Sequence, residues 1–161
     1  MEHGSPQRRT ALVVDDDVFV LAAIADMLSE EGYDVHTASN GFSAIRHAAE
    51  LRPDVILLDL VLPERSGPEV LSELRNGAAT RDMAVVVVSG HPDALSDAQI
   101  ADIDGLVVKP FDEQDLLLTV QRAVQRAATR RAEVAPVVAG SHHPQPARAH
   151  RTTNAYHTRW R

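Results

Sequence analysis

The sequence predicts an α/β protein in which a parallel β-sheet is covered by helices on both faces. Three observations support this prediction. Short, uncharged apolar runs recur at 11–14, 55–58, 84–88 and 105–108, and strands that are buried on both faces have this composition. Segments with helical apolar spacing separate these runs. The intervening connections are short, as in strand–helix–strand units.

The first half of the chain is predicted to contain two strands and two helices. In chain order these are a strand at 11–14, a helix at 17–31, a short alternating strand at 33–38 and a helix at 41–51. Gly32 stands just after the first helix, where a glycine commonly ends one. Pro53 ends the second helix.

The second half is predicted to contain three strands and three helices. These are a strand at 55–58, a helix at 67–76, a strand at 84–88, a weaker helix at 93–100, a strand at 105–108 and a last helix that begins after Asp112. Pro68 suits a first helical turn. Asp112 is the expected N-cap, with Phe111 and Leu116 as a hydrophobic staple. The buried stripe of the last helix is predicted to be Leu116, Val120, Ala123, Val124 and Ala127.

Composition limits the classes of function. The 161 residues are 44% hydrophobic and 24% charged, which is typical of a soluble globular protein. The absence of cysteine excludes disulfides, thiolate metal sites and a cysteine nucleophile. No apolar run is long enough to span a membrane, and the first ten residues lack the apolar core of a signal peptide. We therefore expect a cytoplasmic protein with no membrane partner.

Charge divides the chain into an acidic body and a basic tail. Residues 128–161 hold six arginines and one acid, a net charge of +5, whereas residues 1–127 hold 10 basic and 22 acidic residues, a net charge of −12. We expect disorder at 1–9, a folded domain at 10–127 and a disordered tail rich in Ala, Arg, His and Pro at 128–161. The tail contains four histidines, His142, His143, His150 and His157. We interpret them as part of a solvated tail rather than as metal ligands, because Pro144 and Pro146 break any helix that would align them.

Five polar residues follow the predicted strands. Asp15 and Asp16 come after the first strand, Asp59 after 55–58, Ser89 after 84–88, and Lys109, the single lysine of the chain, after 105–108. The carboxyl ends of parallel strands lie at one edge of the sheet, where ligand sites form. We expect all five side chains to meet in one small pocket.

This set of residues favours phosphoryl chemistry that depends on magnesium. Three crowded carboxylates repel one another, and a hard divalent cation with oxygen ligands removes that penalty. The lysine ammonium supplies a point charge for a phosphate, and the serine hydroxyl supplies a hydrogen bond. One carboxylate is then available as a nucleophile that forms an aspartyl-phosphate. The first-helix acid Asp17 is better explained as a helix cap.

Taken together, these motifs resemble the receiver domain of two-component response regulators. The matching segments are "ALVVDDD", "RPDVILLDLVLP", the helix start at Gly67, "VVVVSG" and "VVKPF", in family order and spacing over about residues 10–127. The resemblance implies a flavodoxin-like, doubly wound five-stranded parallel sheet with strand order 2-1-3-4-5 and five helices. It also implies phosphoryl transfer from the phosphohistidine of a histidine kinase or a histidine phosphotransfer protein.

The resemblance implies a role for each residue of the pocket. Asp59 matches the phosphoacceptor. Asp16 matches a direct magnesium ligand, Asp15 a ligand acting through water, and the backbone carbonyl of Val61 the third protein ligand beside Asp59. The side chains of Val61 and His91 match the positions that flank the path of the hydrolytic water and so tune phosphoryl lifetime.

Three further positions complete the family pattern. Ser89 matches the hydroxyl residue that contacts the phosphoryl group, Lys109 the lysine that pairs with it, and Pro110 a cis-proline. Two positions depart from the pattern. Leu106 stands where the family usually has an aromatic switch residue, and Gly90 where it usually has alanine. These departures leave the phosphorylation chemistry intact but question the usual switch between Ser89 and the residue at 106.

The expected output is contact with another protein. The 34 residues after 127 are too few for a winged-helix DNA-binding domain, so we expect a stand-alone regulator that signals through an unknown downstream protein or stores phosphate. It would catalyse only its own phosphorylation and dephosphorylation, and it could dimerise through the 93–127 face.

Three alternatives stay open from the residues. One is a receiver fragment of a hybrid kinase, and another is a binding module that is never phosphorylated. The third is a haloacid-dehalogenase-type phosphatase with Asp15 as nucleophile and Asp17 as acid/base, which would need a further acidic motif after Lys109.

Overall fold

A computed structural model describes residues 7–135, which contain five strands and five α-helices in alternation. In chain order these are β1 (Thr10–Val14), α1 (Val18–Glu30), β2 (Asp34–Ala38), α2 (Gly41–Leu51), β3 (Val55–Leu58), α3 (Gly67–Asn76), β4 (Ala84–Ser89), α4 (Asp97–Asp102), β5 (Gly105–Val108) and α5 (Glu113–Val134). A short 3₁₀ turn, Pro92–Ala94, precedes α4. No helix within 7–135 combines the length and apolar character needed to cross a bilayer.

All five strands are parallel and lie in the order β2-β1-β3-β4-β5. The predicted doubly wound, flavodoxin-like fold is therefore confirmed. The reversal of strand order falls between β1 and β3, which pair from Ala11–Val55 to Val14–Leu58. A crevice at the carboxyl ends of such neighbouring strands is where open α/β sheets bind ligands.

The helices cover the sheet with two separate cores. On one face α1 and α5 pack over alternate strand residues such as Val13, Leu57 and Val86. On the other, α2 and α3 pack over the intervening ones, such as Leu12 and Ile56. All four residues of β3 are buried, which explains why its sequence is continuously apolar.

Side-chain caps begin the helices where the sequence predicts them. Asp17 caps α1 by accepting a hydrogen bond from the Phe19 amide, and Asp112 caps α5. Gly32 follows α1 with a φ of 86°, a conformation that glycine adopts without steric penalty. Ser66 begins α3 with a reciprocal capping box.

Two predicted segments differ from the structure by more than one residue at a boundary. The helix expected at 93–100 is instead the 3₁₀ turn followed by α4 at Asp97–Asp102, because Ser96 forms a capping box with Gln99. The tail is predicted to be disordered from residue 128, but α5 continues to Val134. Arg130 on that added turn donates to the Asp104 carboxylate at 2.7 Å, which anchors it. Residues 1–6 and 136–161, including the four tail histidines, lie outside the described residues.

Candidate functional site

The ends of β1 and β3 bring two buried carboxylates together. Asp15 follows β1 and is 2% exposed, while Asp59 follows β3 and is 6% exposed. The Asp59 amide donates to the Val14 carbonyl at 2.9 Å, which extends the pairing of the two strands by one step and aligns the two acids. With the exposed Asp16, they offer three carboxylate oxygens that lie within 4.8 Å of one another. The predicted convergence of these three acids is therefore present.

Lys109 joins the two buried acids. Its Nζ donates to Oδ2 of Asp15 at 2.6 Å and to Oδ2 of Asp59 at 3.2 Å. Burial alone would lower the pKa of the Lys109 ammonium, but the hydrogen bonds and charges of Asp15 and Asp59 outweigh it and raise that pKa. Lys109 is therefore charged at neutral pH and offsets part of the repulsion between the carboxylates.

The three carboxylates suit a hard divalent cation. Their donor atoms are all oxygens, and one lysine cannot balance three negative charges at such short range. The cluster opens to solvent through Asp16, so an ion can enter and keep some of its water. The acidic cluster can therefore hold a metal ion.

An open cavity of about 280 Å³ surrounds the cluster. Its walls are formed by Asp15, Asp16, Asp17, Asp59, Val61, Gly90, His91 and Lys109. The Val61 amide donates weakly to Oδ1 of Asp59 at 3.4 Å, and the Val61 side chain is 54% exposed at the rim. His91, which follows β4, also lines the cavity. Val61 and His91 therefore both border the cavity that contains the carboxylate of Asp59.

Ser89 and Leu106 lie outside this lining. Ser89 is fully buried, and its Oγ accepts a hydrogen bond from the His91 amide at 3.1 Å. Leu106 of β5 pairs with Val87 of β4 and is 41% exposed. Of the five residues expected to meet in the pocket, four line it, and Ser89 is linked to it only through its bond to His91. Leu106 does not line the pocket.

Two lining residues were not assigned to the pocket from the sequence. Asp17 lines it while capping α1, so its carboxylate is already engaged by the Phe19 amide. Gly90 lines it because it follows the buried Ser89 at the end of β4. Each of the two directly follows a predicted site residue in the sequence, and this adjacency is the signal that could have identified it.

Backbone geometry at the ends of β3 and β5 fixes the site. A Cβ on Gly67 would fall inside van der Waals contact with the Asp59 carbonyl oxygen and the Leu60 Cα, so only glycine permits this close approach. The Gly67 amide donates to the Leu60 carbonyl at 2.9 Å. The Lys109–Pro110 peptide bond is cis, the conformation that the resemblance implies for Pro110, and the Lys109 amide donates to the Ser89 carbonyl at 3.0 Å.

Sequence comparison identifies relatives of the chain. A family model for the response regulator receiver domain matches residues 11–121. The transcriptional regulatory protein KdpE of Mycobacterium tuberculosis (strain ATCC 25618 / H37Rv) is 41% identical over 117 residues, covering 71% of this chain and 50% of that protein. The probable transcriptional regulatory protein TcrX of the same strain is 35% identical over 145 residues, covering 88% and 58%. The chain thus spans little more than half the length of these relatives.

Comparison with solved structures agrees with the sequence match. The chemotaxis response regulator CheY4 of Vibrio cholerae superimposes with a TM-score of 0.67 and 28% identity, over 73% of this chain and 99% of that one. A sensor protein from Polaromonas sp. JS666 superimposes with a TM-score of 0.70 and 27% identity, over 76% and 99%. The likeness covers about three quarters of this chain and nearly all of each of these two structures.

Proposed function

Because the chain belongs to the response regulator receiver domain family, a signalling module of two-component systems, we propose that Asp59 is its phosphoacceptor. The observation that carries this proposal is the position of Asp59 at the end of β3, bonded to Lys109 and grouped with Asp15 and Asp16. The donor would be the phosphohistidine of a histidine kinase or a histidine phosphotransfer protein. An oxygen of Asp59 forms the new bond to phosphorus as the bond to the imidazole nitrogen breaks.

Magnesium is the proposed metal of the acidic cluster. Asp16 and Asp59 would bind it directly, Asp15 through water, and the Val61 carbonyl would be the remaining protein ligand. When bound, the ion neutralises charge on the phosphoryl oxygens during transfer. Lys109 pairs with the same phosphoryl group, and Ser89 donates its hydroxyl hydrogen to it. The close approach of three carboxylates and the lysine between two of them supports these assignments.

Val61 and His91 are proposed to set the lifetime of the aspartyl-phosphate. Val61 offers no side-chain hydrogen bond with which to align an attacking water. The His91 imidazole can either orient that water or shield the phosphoryl group. Their places on the walls of the cavity support this role.

The proposed output surface is the 93–127 face, made of α4, β5 and the start of α5. It exposes four apolar side chains, Ile100, Leu106, Val108 and Leu118, at 49%, 41%, 49% and 42%. No residue of α4 is buried, so this short helix is weakly held and suited to move. The same face could join two copies in a dimer. Because Leu106 lacks a polar group, the change there would be a shift of packing and backbone, with Ser89 as the link to the pocket.

Nuclear magnetic resonance tests this output. Beryllofluoride, which mimics a bound phosphoryl group, should shift amide signals across the 93–127 face as well as around the pocket. Shifts confined to the pocket would contradict a signalling output and favour phosphate storage.

We propose that the receiver domain signals through contact with another protein. A receiver that belongs to a hybrid kinase should instead exchange its phosphoryl group specifically with that kinase. Pull-down with and without beryllofluoride tests the proposed output, because a receiver that signals by protein contact should gain or lose a partner when the mimic binds.

Intact-mass measurement tests the proposed reaction. Incubation with a small phosphodonor and Mg²⁺ should add one phosphoryl group, and chelation of the metal should prevent the addition. Asp59→Asn should stay unmodified, with the exposed Asp97→Asn as a matched control that is modified normally. A parent protein that gains no phosphoryl group would leave a binding module that is never phosphorylated.

A further inference from the structure

Arg65 connects the loop that follows Asp59 to two helices. The loop, Leu60–Ser66, runs from the end of β3 to α3. The Arg65 guanidinium lies over the Phe42 ring of α2, 4.9 Å from its centroid. It also forms an ion pair with Glu73 of α3. The Arg65 side chain therefore connects the C-terminal end of the loop to both α2 and α3.

The backbone of Arg65 is packed as closely as its side chain. A Cβ added to Gly41, the first residue of α2, would lie 2.6 Å from the Arg65 carbonyl oxygen and 2.7 Å from the Arg65 Cβ. Real side chains do not tolerate such separations, so Gly41 permits the loop to rest directly on the start of α2. Arg65 therefore contacts α2 through both its backbone and its side chain.

The middle of the loop is exposed at Val61, Pro63 and Glu64. Glu64 has a φ of 67°, a left-handed conformation that is unfavourable for a residue with a Cβ. The ends of the loop are anchored by the buried Leu60 and by the bond between the Gly67 amide and the Leu60 carbonyl. Arg65 adds the side-chain contacts that join the exposed part of the loop to α2 and α3.

We propose that Arg65 is a positioning residue that holds the Leu60–Ser66 loop so that the Val61 carbonyl faces the acidic cluster. This proposal rests on the proposed function, which makes that carbonyl a magnesium ligand. Arg65 touches neither the metal nor the phosphoryl group. Its contacts with Phe42 and Glu73 act through the loop, and their loss should let the carbonyl turn away.

Calorimetric titration of the unphosphorylated protein with Mg²⁺ tests the proposal. Arg65→Ala should weaken Mg²⁺ binding about fivefold, the size expected when a cation–π contact and an exposed ion pair are lost together. Phe42→Leu, which changes only the exposed ring, should weaken it in the same direction. Phe42→Tyr keeps the ring face and should bind Mg²⁺ like the parent.

A matched control separates positioning from a general charge effect. Arg81 forms a comparable exposed pair with Asp82, at the other edge of the sheet, so Arg81→Ala should leave Mg²⁺ affinity unchanged. Circular dichroism confirms that each variant is folded. Unchanged affinity in both Arg65→Ala and Phe42→Leu overturns the proposal, as does an equal loss in Arg81→Ala or a parent that binds no Mg²⁺. Phosphorylation is measured separately, so a parent that binds Mg²⁺ but accepts no phosphoryl group refutes the proposed function while the titration still decides the role of Arg65.

Discussion

The Lys109 ammonium lies 2.6 Å from the Asp15 carboxylate, although 94 positions separate the two residues along the chain. The contact joins the ends of β1 and β5, which are not neighbours in the sheet. It means that the acidic cluster is partly neutralised by the protein itself before any cation binds. Lys109 therefore has a part in the metal-free state, besides the role proposed for it in the phosphorylated state.

Lys109→Ala should separate metal binding from phosphorylation. Loss of the ammonium leaves the carboxylates with less positive charge, so Mg²⁺ should bind at least as tightly as to the parent. Phosphorylation should slow about 100-fold, the size seen when one preorganised charge partner of a reacting group is removed. Calorimetry and intact-mass time courses measure the two effects, and a variant that loses Mg²⁺ binding would contradict this account.

The same lysine predicts a pH dependence. Since the folded state raises the Lys109 pKa above its usual value of 10.5, the associated stabilisation is complete below that pH and is lost as pH rises through the folded-state pKa. The difference in unfolding free energy between the parent and Lys109→Met should thus be constant across the neutral range and shrink only in strong alkali. Urea denaturation at a series of pH values measures this difference in unfolding free energy. A difference that shrinks near neutral pH would be evidence against the contacts of Lys109 with the two carboxylates.

Asp16→Ala should abolish Mg²⁺ binding and phosphorylation without harming the fold. Asp16 is exposed, so its removal takes away a metal ligand and little else. The free energy of unfolding should change by no more than about 0.5 kcal/mol, or rise slightly as repulsion in the cluster is relieved. If a titration shows Asp16→Ala binding Mg²⁺ like the parent, Asp16 is not a ligand.

Val61→Asn should shorten the lifetime of the aspartyl-phosphate. An amide at the rim beside Asp59 can orient an attacking water, which the valine side chain cannot. His91→Ala should alter the lifetime as well, because it removes an imidazole from the residues that line the cavity. Loss of phosphate followed by intact mass gives both rates. Leu118→Ala, an exposed apolar change on α5, is the control, and rates equal to the parent in both pocket variants would refute their role.

Asp104 should be the largest stability determinant outside the two cores. It is 6% exposed, accepts from the Val85 amide at 2.9 Å, and pairs with Arg75 and Arg130. Asp104→Ala leaves the partly buried Arg75 without its carboxylate and should cost about 3 kcal/mol of unfolding free energy. The neighbouring Asp102→Ala, whose side chain is exposed, should cost at most about 0.5 kcal/mol. Equal effects in urea denaturation would contradict this assignment.

Much of the fold could be predicted because local signals and burial agree. The bounds of α2, β3, α3 and β5 match the predictions, since each is set by an apolar period together with a cap, a proline or a glycine. The convergence of Asp15, Asp16, Asp59 and Lys109 follows from one rule about the ends of parallel strands.

Other features depend on contacts between distant residues. The apolar stripe of α5 ends at Ala127, yet the helix continues because alanine and arginine favour helices and Arg130 reaches Asp104. The helical spacing at 93–100 predicts a start for α4 that is too early, whereas the capping box of Ser96 and Gln99, a pattern present in the sequence, marks the observed start. The contact of Arg65 with Phe42 joins a residue of the loop after β3 to a residue of α2, and no local pattern predicts it.

Peptide mapping of the phosphorylated residue tests the central claim most directly. After treatment with a phosphodonor and Mg²⁺, borohydride reduces an aspartyl-phosphate to homoserine, which marks its position permanently. Asp59 as phosphoacceptor predicts homoserine at position 59 alone, and none in the Asp59→Asn variant. Homoserine at position 15, with normal labelling of Asp59→Asn, would contradict the account and favour a phosphatase that uses Asp15 as its nucleophile.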